Sequence, residues 1–319
     1  MPQEVYQEVY HEVMGLHLSR IFTERNIRSA LSYEPQDGDV FVVSYPKCGS
    51  TWLQNIAQAV LNVDDHKEAS EEGSLKLLTF LELVGAEGAR AMPRPGAIKT
   101  HLPFSKHPYS EKAKYVYIAR NPYDCCVSFY HHTKRLPTYR FQDGTFDQFF
   151  DMFVEGKVDF GDYFDNLLSW YEHRDDPNVL FVTYEELKKD TSGWVLKLAD
   201  FFGKEQFGDK MKRNPALVAK VIESTNVEKM KAINSKLRNW KETVNSMPAD
   251  ARADLMKTMN DSFGDVWNKD GNGEFVRKGV VGDWKNYFSV EQIARLKARI
   301  ELKTQGSDVM SLWTGVGLP

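Results

Sequence analysis

"VVSYPKCGSTWLQ", residues 42–54, joins a run of β-prone residues to a helical pattern through a turn that holds Pro46, Lys47 and Gly49. Val40 to Ser44 is the short apolar run expected of a buried central strand. Leu53, Ile56, Ala57, Val60 and Leu61 then recur at the i, i+3, i+4 spacing of one buried helix face. Strand, loop and helix follow one another with no spare residues. Free backbone N–H groups and the positive end of the helix therefore aim at one point, which suits an anionic phosphate. Ser50 and Thr51 add hydroxyl donors. In a nucleoside-triphosphatase loop, G-x-x-x-x-G-K-[ST], the lysine follows the second glycine; here Lys47 precedes Gly49.

The alternation continues downstream. "AIKTH" (97–101) and "KYVYIAR" (114–120) are strand-like, and "RNPYDCCVSFYHH" opens a helix with Asn121 at the cap and Pro122 at the first position. "NVLFVTYEEL" (178–187) repeats the switch from strand to helix and leads into "GWVLKLADFFG" (193–203), with Gly203 as the expected C-cap. The pattern predicts an α/β fold: a single domain over residues 1–319, core about 38–303, with a central, mainly parallel sheet flanked by helices. In such sheets ligands sit at the carboxyl ends of the strands, where Lys47, His101, Arg120 and Tyr184 fall. Loops are expected around "KRNP" (212–215) and "NKDGNGEF" (268–275), and an amphipathic helix over 289–302.

Bulk properties narrow the partners. Across 319 residues, 41 basic against 45 acidic side chains give a net charge of -4, which lacks the field of a general nucleic-acid binder. Three cysteines, Cys48, Cys125 and Cys126, make neither a disulfide ladder nor a CxxC pair, so a reducing compartment is expected. The first twenty residues carry no signal-like apolar core, and no window reaches the roughly 18 apolar residues of a membrane span. A cytoplasmic protein with no membrane partner is the expectation.

No aspartate ends the 114–120 strand where a nucleotide-dependent kinase would place a magnesium ligand; Arg120 stands there instead. The residues are suited to neutralising anions with cationic side chains, and no metal is expected. In "KTH", Lys99 and His101 lie two apart and so on the same side of an extended segment. With an intrinsic pKa near 6.5, His101 can take a proton from an attacking hydroxyl.

At this point the chain resembles the cytosolic sulfotransferases that use 3′-phosphoadenosine 5′-phosphosulfate (PAPS). "YPKCGSTW" (45–52) is similar to their phosphosulfate loop, and "KTHLP" (99–103), "YIARNPYDCCVSFYHH" (117–132), "TYEEL" (183–187) and "RKGVVGDWKNYF" (277–288) match further signatures in family order. The resemblance implies that Lys47, Cys48, Gly49, Ser50, Thr51 and Trp52 hold the 5′-phosphosulfate and adenine. It also implies that Arg120, Ser128, Arg277, Lys278 and Gly279 bind the 3′-phosphate, and that Tyr184, Thr225 and Val227 lie near the adenine. His101 would be the general base, with Lys47 and Lys99 stabilising charge during transfer of a sulfuryl group from PAPS to a hydroxyl or amine, leaving PAP. Phe80, Leu83, Lys99 and His101, with the segment from Tyr139 to Phe150 and residues near 16–22, would line a pocket for a small phenolic or catecholamine-like acceptor.

The chain departs from the family at three places. Val227 stands where an aromatic usually packs on adenine, and the adjacent Cys125 and Cys126 replace small aliphatics. Ala294 replaces the final acid of a dimer motif at Lys285, Ser289 and Val290, so a homodimer through that segment lacks an ion pair. Two other readings are an ATP-dependent P-loop kinase, which would need the missing G-K-[ST] and Asp, and a silent nucleotide-binding protein, which would not need His101.

Overall fold

The computed structural model describes residues 9–63, 79–236 and 278–319, with Ala249, Arg252, Ala253, Met256 and Lys257 isolated between them. "NKDGNGEF" and Arg277 lie outside these residues. The chain enters through a hairpin that the sequence pattern did not reveal, β1 (Tyr10–Val13) and β2 (Leu16–Ser19), antiparallel and joined by Met14 and Gly15 at φ 52° and 73°. Helix α1 (Glu24–Leu31) follows, capped by the Thr23 side chain on the Asn26 amide.

Among the described residues five strands make one parallel sheet: β3 (Val40–Val43), β4 (Thr79–Phe80), β5 (Ala97–Thr100), β6 (Lys114–Ala119) and β7 (Val179–Thr183), in the order β4-β5-β3-β6-β7. The central strand β3 is buried on both faces, and the side chains of β3 and β6 alternate between two cores. Phe41, Val43, Tyr115 and Tyr117 enter one core, and Val40, Val42, Val116 and Ile118 the other. After β3 the chain first builds the β4 and β5 side and then crosses to β6 and β7. The carboxyl end of β3 is therefore the switch point at which α/β sheets form their crevices.

Helix α2 (Ser50–Leu61) packs on this sheet, and its buried Gln54 donates to the carbonyls of Thr79 (3.0 Å) and Ala97 (2.8 Å), tying the helix to β4 and β5. Helix α3 (Leu81–Arg90) leaves β4 directly, and α4 (Pro122–Arg135) starts as expected, with Asn121 accepting from the Asp124 amide. Helices α5 (Phe146–Val154), α6 (Tyr163–Tyr171), α7 (Tyr184–Lys189) and α8 (Thr191–Gly203) follow, and α12 (Val290–Lys303) bears out the C-terminal amphipathic pattern.

Gly203 is not the left-handed cap expected of it. Its φ of 173° is extended, and the chain continues as a wide π-helical turn, Lys204–Gly208. The reason lies across the fold: the Lys114 ammonium donates to the carbonyls of Phe201 (2.7 Å) and Phe202 (2.6 Å), satisfying groups that a glycine cap would otherwise serve. "KRNP" likewise shrinks to a break at Asn214 between α9 (Asp209–Arg213) and α10 (Pro215–Ser224), with Pro215 in the first turn; α11 (Val227–Lys236) follows. Among the described residues no helix is long and apolar enough to cross a membrane.

Candidate active site

The loop after β3 turns back on itself through two left-handed residues, Lys47 (φ 69°) and Gly49 (φ 107°). A Cβ on Gly49 would stand 2.8 Å from Tyr184 Cδ2, so both conformation and close approach demand glycine there. A side chain at left-handed φ is strained by about 1–3 kcal/mol, and at Lys47 that strain aims the lysine into a cavity at the switch point.

The cavity, of about 350 Å³, is lined on one side by Lys47, Gly49, Ser50, Thr51 and Trp52 of the loop and the start of α2. Arg120 at the end of β6, Ser128 on α4, Tyr184 at the start of α7, and Thr225 and Val227 flanking the α10–α11 junction join them. Lys278 and Gly279 arrive from far along the chain and complete this side. Their segment is held by Asp124 of α4, whose carboxylate accepts from the amides of Gly282 (2.7 Å) and Trp284 (3.0 Å). Trp52 Nε1 donates to the Thr225 carbonyl (3.0 Å), and Arg120 lies 4.6 Å over the Tyr184 ring.

Cys48 departs from its expected place. Its thiol is fully buried 3.8 Å from Cys125 Sγ, and its amide donates to the Tyr45 carbonyl (3.4 Å), so neither group faces the cavity. The left-handed turn at Lys47 drives the next side chain inward, and a small residue is what fits there.

The opposite side carries Phe80, Leu83, Lys99 and His101, together with Ile21, Phe22 and Tyr139. Of the segment from Tyr139 to Phe150, only Tyr139 and none of the others lines the cavity; Phe150 packs in the core against Phe288. His101 is fixed on every side. Its Nδ1 stands 2.7 Å from the Ser44 carbonyl, which can only accept, so Nδ1 carries the proton and Nε2 the lone pair. Phe80 and Phe160 meet its ring edge-on at 5.0 and 5.2 Å. Burial, with Lys99 and then Lys47 adding to it, lowers its pKa to about 3, so the imidazole stays neutral.

The lysines are perturbed in the same way. Burial, followed by the Arg135, Lys99 and Arg120 charges, lowers Lys47 to about 7, and burial lowers Lys99 to about 8 against the pull of Glu82. Lys47 Nζ rests 3.4 Å from His132 Nδ1, and Lys99 Nζ lies 4.3 Å over the Phe80 ring. A wall that gathers buried basic side chains with so little negative charge beside them is suited to an anion. Arg120 agrees: its Nε is buried without a hydrogen-bond partner among the described residues.

Glu82, Asp159, His132 and Arg135 were not singled out from the sequence, although His132 and Arg135 continue the α4 face that carries Ser128. Glu82 is fully buried at the start of α3; its Oε1 accepts from the His101 amide (2.5 Å) and the Thr100 hydroxyl (3.0 Å), and burial raises its pKa to about 7. Among the described residues no group of His, Cys, Asp and Glu is arranged to hold a metal ion.

Comparison with known proteins gives this geometry a context. Residues 37–308 match the model of the sulfotransferase domain. Human sulfotransferase 1C2 is 31% identical over 287 residues, 87% of each chain, and the amine sulfotransferase of Oryctolagus cuniculus is 29% identical over 305 residues, 94% of this chain and 92% of its own. The crystal structure of mouse sulfotransferase SULT7A1 complexed with PAP superposes with a TM-score of 0.70 at 29% identity, covering 96% of this chain and 98% of that one. With the domain model spanning the sheet, the loop and all of the cavity wall but Ile21 and Phe22, the chain belongs to the sulfotransferase family.

Proposed function

We propose that this enzyme transfers a sulfuryl group from PAPS to the hydroxyl or amine of a small acceptor, phenolic or catecholamine-like, by direct in-line displacement with His101 as general base. The observation that carries the reading is one cavity in which the His101 Nε2 lone pair shares a wall with Lys47, Lys99 and the Arg120, Ser128 and Lys278 group. The PAP in the solved mouse relative supports PAPS as the donor.

The donor supplies an activated sulfur–oxygen bond to a phosphate leaving group. Gly49, Ser50 and Thr51 at the head of α2 offer amides and hydroxyls to its 5′ end, where the helix dipole favours negative charge. Arg120 and Lys278, with Ser128, suit the two charges of a 3′-phosphate. Trp52 and Tyr184, edge to face at 5.7 Å, offer aromatic surface to adenine, and Val227 gives aliphatic contact where an aromatic is commoner.

As the acceptor oxygen attacks sulfur, its proton passes to His101 Nε2 and the bonding electron pair leaves with the phosphate oxygen. Lys47 and Lys99 compensate the charge that grows on those oxygens. An arriving anion favours the charged form of each group, opposing the burial that lowers Lys47, Lys99 and His101 and the neighbouring cations that add to it at Lys47 and His101, so donor binding readies the three groups together. The test is transfer of label from PAPS to a panel of phenols, catecholamines and steroids. Labelled product from at least one acceptor, lost in His101→Ala, is expected; absence of product from every acceptor would overturn the reading.

A further inference from the structure

Asp159 is the only acidic side chain among the described residues on the cavity wall; Lys47, Lys99, Arg120, Arg135, Lys188 and Lys278 there are all basic. It lies between α5 and α6 and is 2% exposed. One oxygen accepts from the Ser19 amide at the end of β2 and the other from the Tyr139 hydroxyl, both uncharged donors. No lysine or arginine among the described residues forms an ion pair with it, and the His17 imidazole nearby is itself held by Glu12 at 2.7 Å. Burial raises its pKa to about 6, so the carboxylate is largely ionised at neutral pH.

A buried anion that lacks a cation is costly, and two neutral hydrogen bonds offset only part of that cost. Pinning the hairpin to Tyr139 explains why two acceptor oxygens stand there. It does not explain why they stand on the wall of the acceptor side. Phe160, the next residue, packs edge-on against both Phe22 (5.2 Å) and His101 (5.2 Å), and Phe80 meets Phe22 (5.6 Å) and His101 (5.0 Å). Three phenyl rings thus surround the space beside the His101 ring, with the carboxylate next along the chain.

We propose that Asp159 is a subsite for a protonated amine, so that the acceptor is an aromatic hydroxy compound bearing an ammonium group on its far side from the reacting oxygen. The proposal rests on the sulfuryl-transfer reading for the identity of the other end of the acceptor. Bound there, the ammonium supplies the counter-charge that no lysine or arginine among the described residues gives Asp159, while the rings bury the aryl body.

Three phenols of one skeleton test it: 4-ethylphenol, 4-(2-aminoethyl)phenol and 3-(4-hydroxyphenyl)propanoate, titrated calorimetrically into the wild-type enzyme with PAP bound. The cation should bind at least tenfold more tightly than the neutral phenol, and the carboxylate least tightly. Every other charged side chain on the wall among the described residues is basic and would favour the opposite order, so equal affinities or tightest binding of the carboxylate would overturn the proposal. In Asp159→Asn the advantage of the amine should fall toward one; an unchanged advantage would also overturn it. The wild-type order stands as a test even if that variant does not fold, which its melting transition reports. Label transfer from PAPS to the same phenols is scored separately: if the amine binds best and no phenol is sulfated, the sulfuryl-transfer reading fails and the subsite stands.

Discussion

The donor and acceptor sides of the cavity are assembled by different means. On the donor side, Lys47, Arg120 and Tyr184 leave the carboxyl ends of adjacent parallel strands within motifs a few residues long, and the strand order alone brings them together. On the acceptor side, Phe22, Phe80, Tyr139 and Asp159 come from the segment after a hairpin, from a two-residue edge strand and from two loops. One wall is polar, cationic and topologically fixed. The other is mostly aromatic and depends on packing, so on the proposed reading the first would govern the transfer chemistry and the second would select among acceptors.

Breaking the shared centre should have the largest effect. His101→Ala is expected to lower turnover by roughly 10²–10⁴-fold while leaving PAP affinity within about twofold, read by single-turnover kinetics and calorimetry. Near-normal turnover would remove His101 as the base. Gly49→Ala attacks the donor side alone: a Cβ 2.8 Å from the Tyr184 ring at φ 107° should cost about 1–3 kcal/mol and weaken PAP binding, while the acceptor side keeps its melting contribution.

Glu82 sharpens the comparison, because it touches the centre without touching either ligand. Glu82→Gln keeps an acceptor for the His101 amide and removes the negative charge that supports protonated Lys99. Lys99 should then titrate below about 8, and the alkaline limb of the turnover profile should move to lower pH; a purely structural Glu82 would leave that limb in place.

A smaller effect follows from Lys47, which burial holds near 7 in the ligand-free protein. Its proton is restored when an anion binds, so its pKa is higher in the complex. The corresponding affinity is fully present below about 7 and is lost as pH rises above it, by up to about tenfold per pH unit for one proton. Calorimetry in buffers of different ionisation enthalpy should show proton uptake by the protein at pH 8. Binding heats independent of buffer would contradict it.

These differences also explain what could be read from the sequence. The 42–54 stretch showed its strand, turn and helix because β3 is buried on both faces and α2 on one, which leaves a clear pattern. The position of Lys47 before Gly49 carried the departure from triphosphate loops, and the left-handed pair at those residues is its structural form. The β1–β2 hairpin left no such mark, since its turn is Met14-Gly15 rather than a strong turn dipeptide and its polar residues interrupt the alternation. Glu82 and Asp159 were illegible for another reason: each becomes significant only through partners far along the chain, Thr100 and His101 for one, Ser19 and Tyr139 for the other. Gly203 misled because Lys114, from a different strand, caps its helix instead.

The central claim is that the cationic wall recognises a nucleotide bearing a separate 3′-phosphate. It is tested most directly by thermal melting of the protein with PAP, AMP or ATP at equal concentration. The account predicts a rise in melting temperature with PAP far above that with AMP or ATP, because only PAP engages Arg120, Ser128 and Lys278 as well as the loop. Equal rises with all three nucleotides would contradict it.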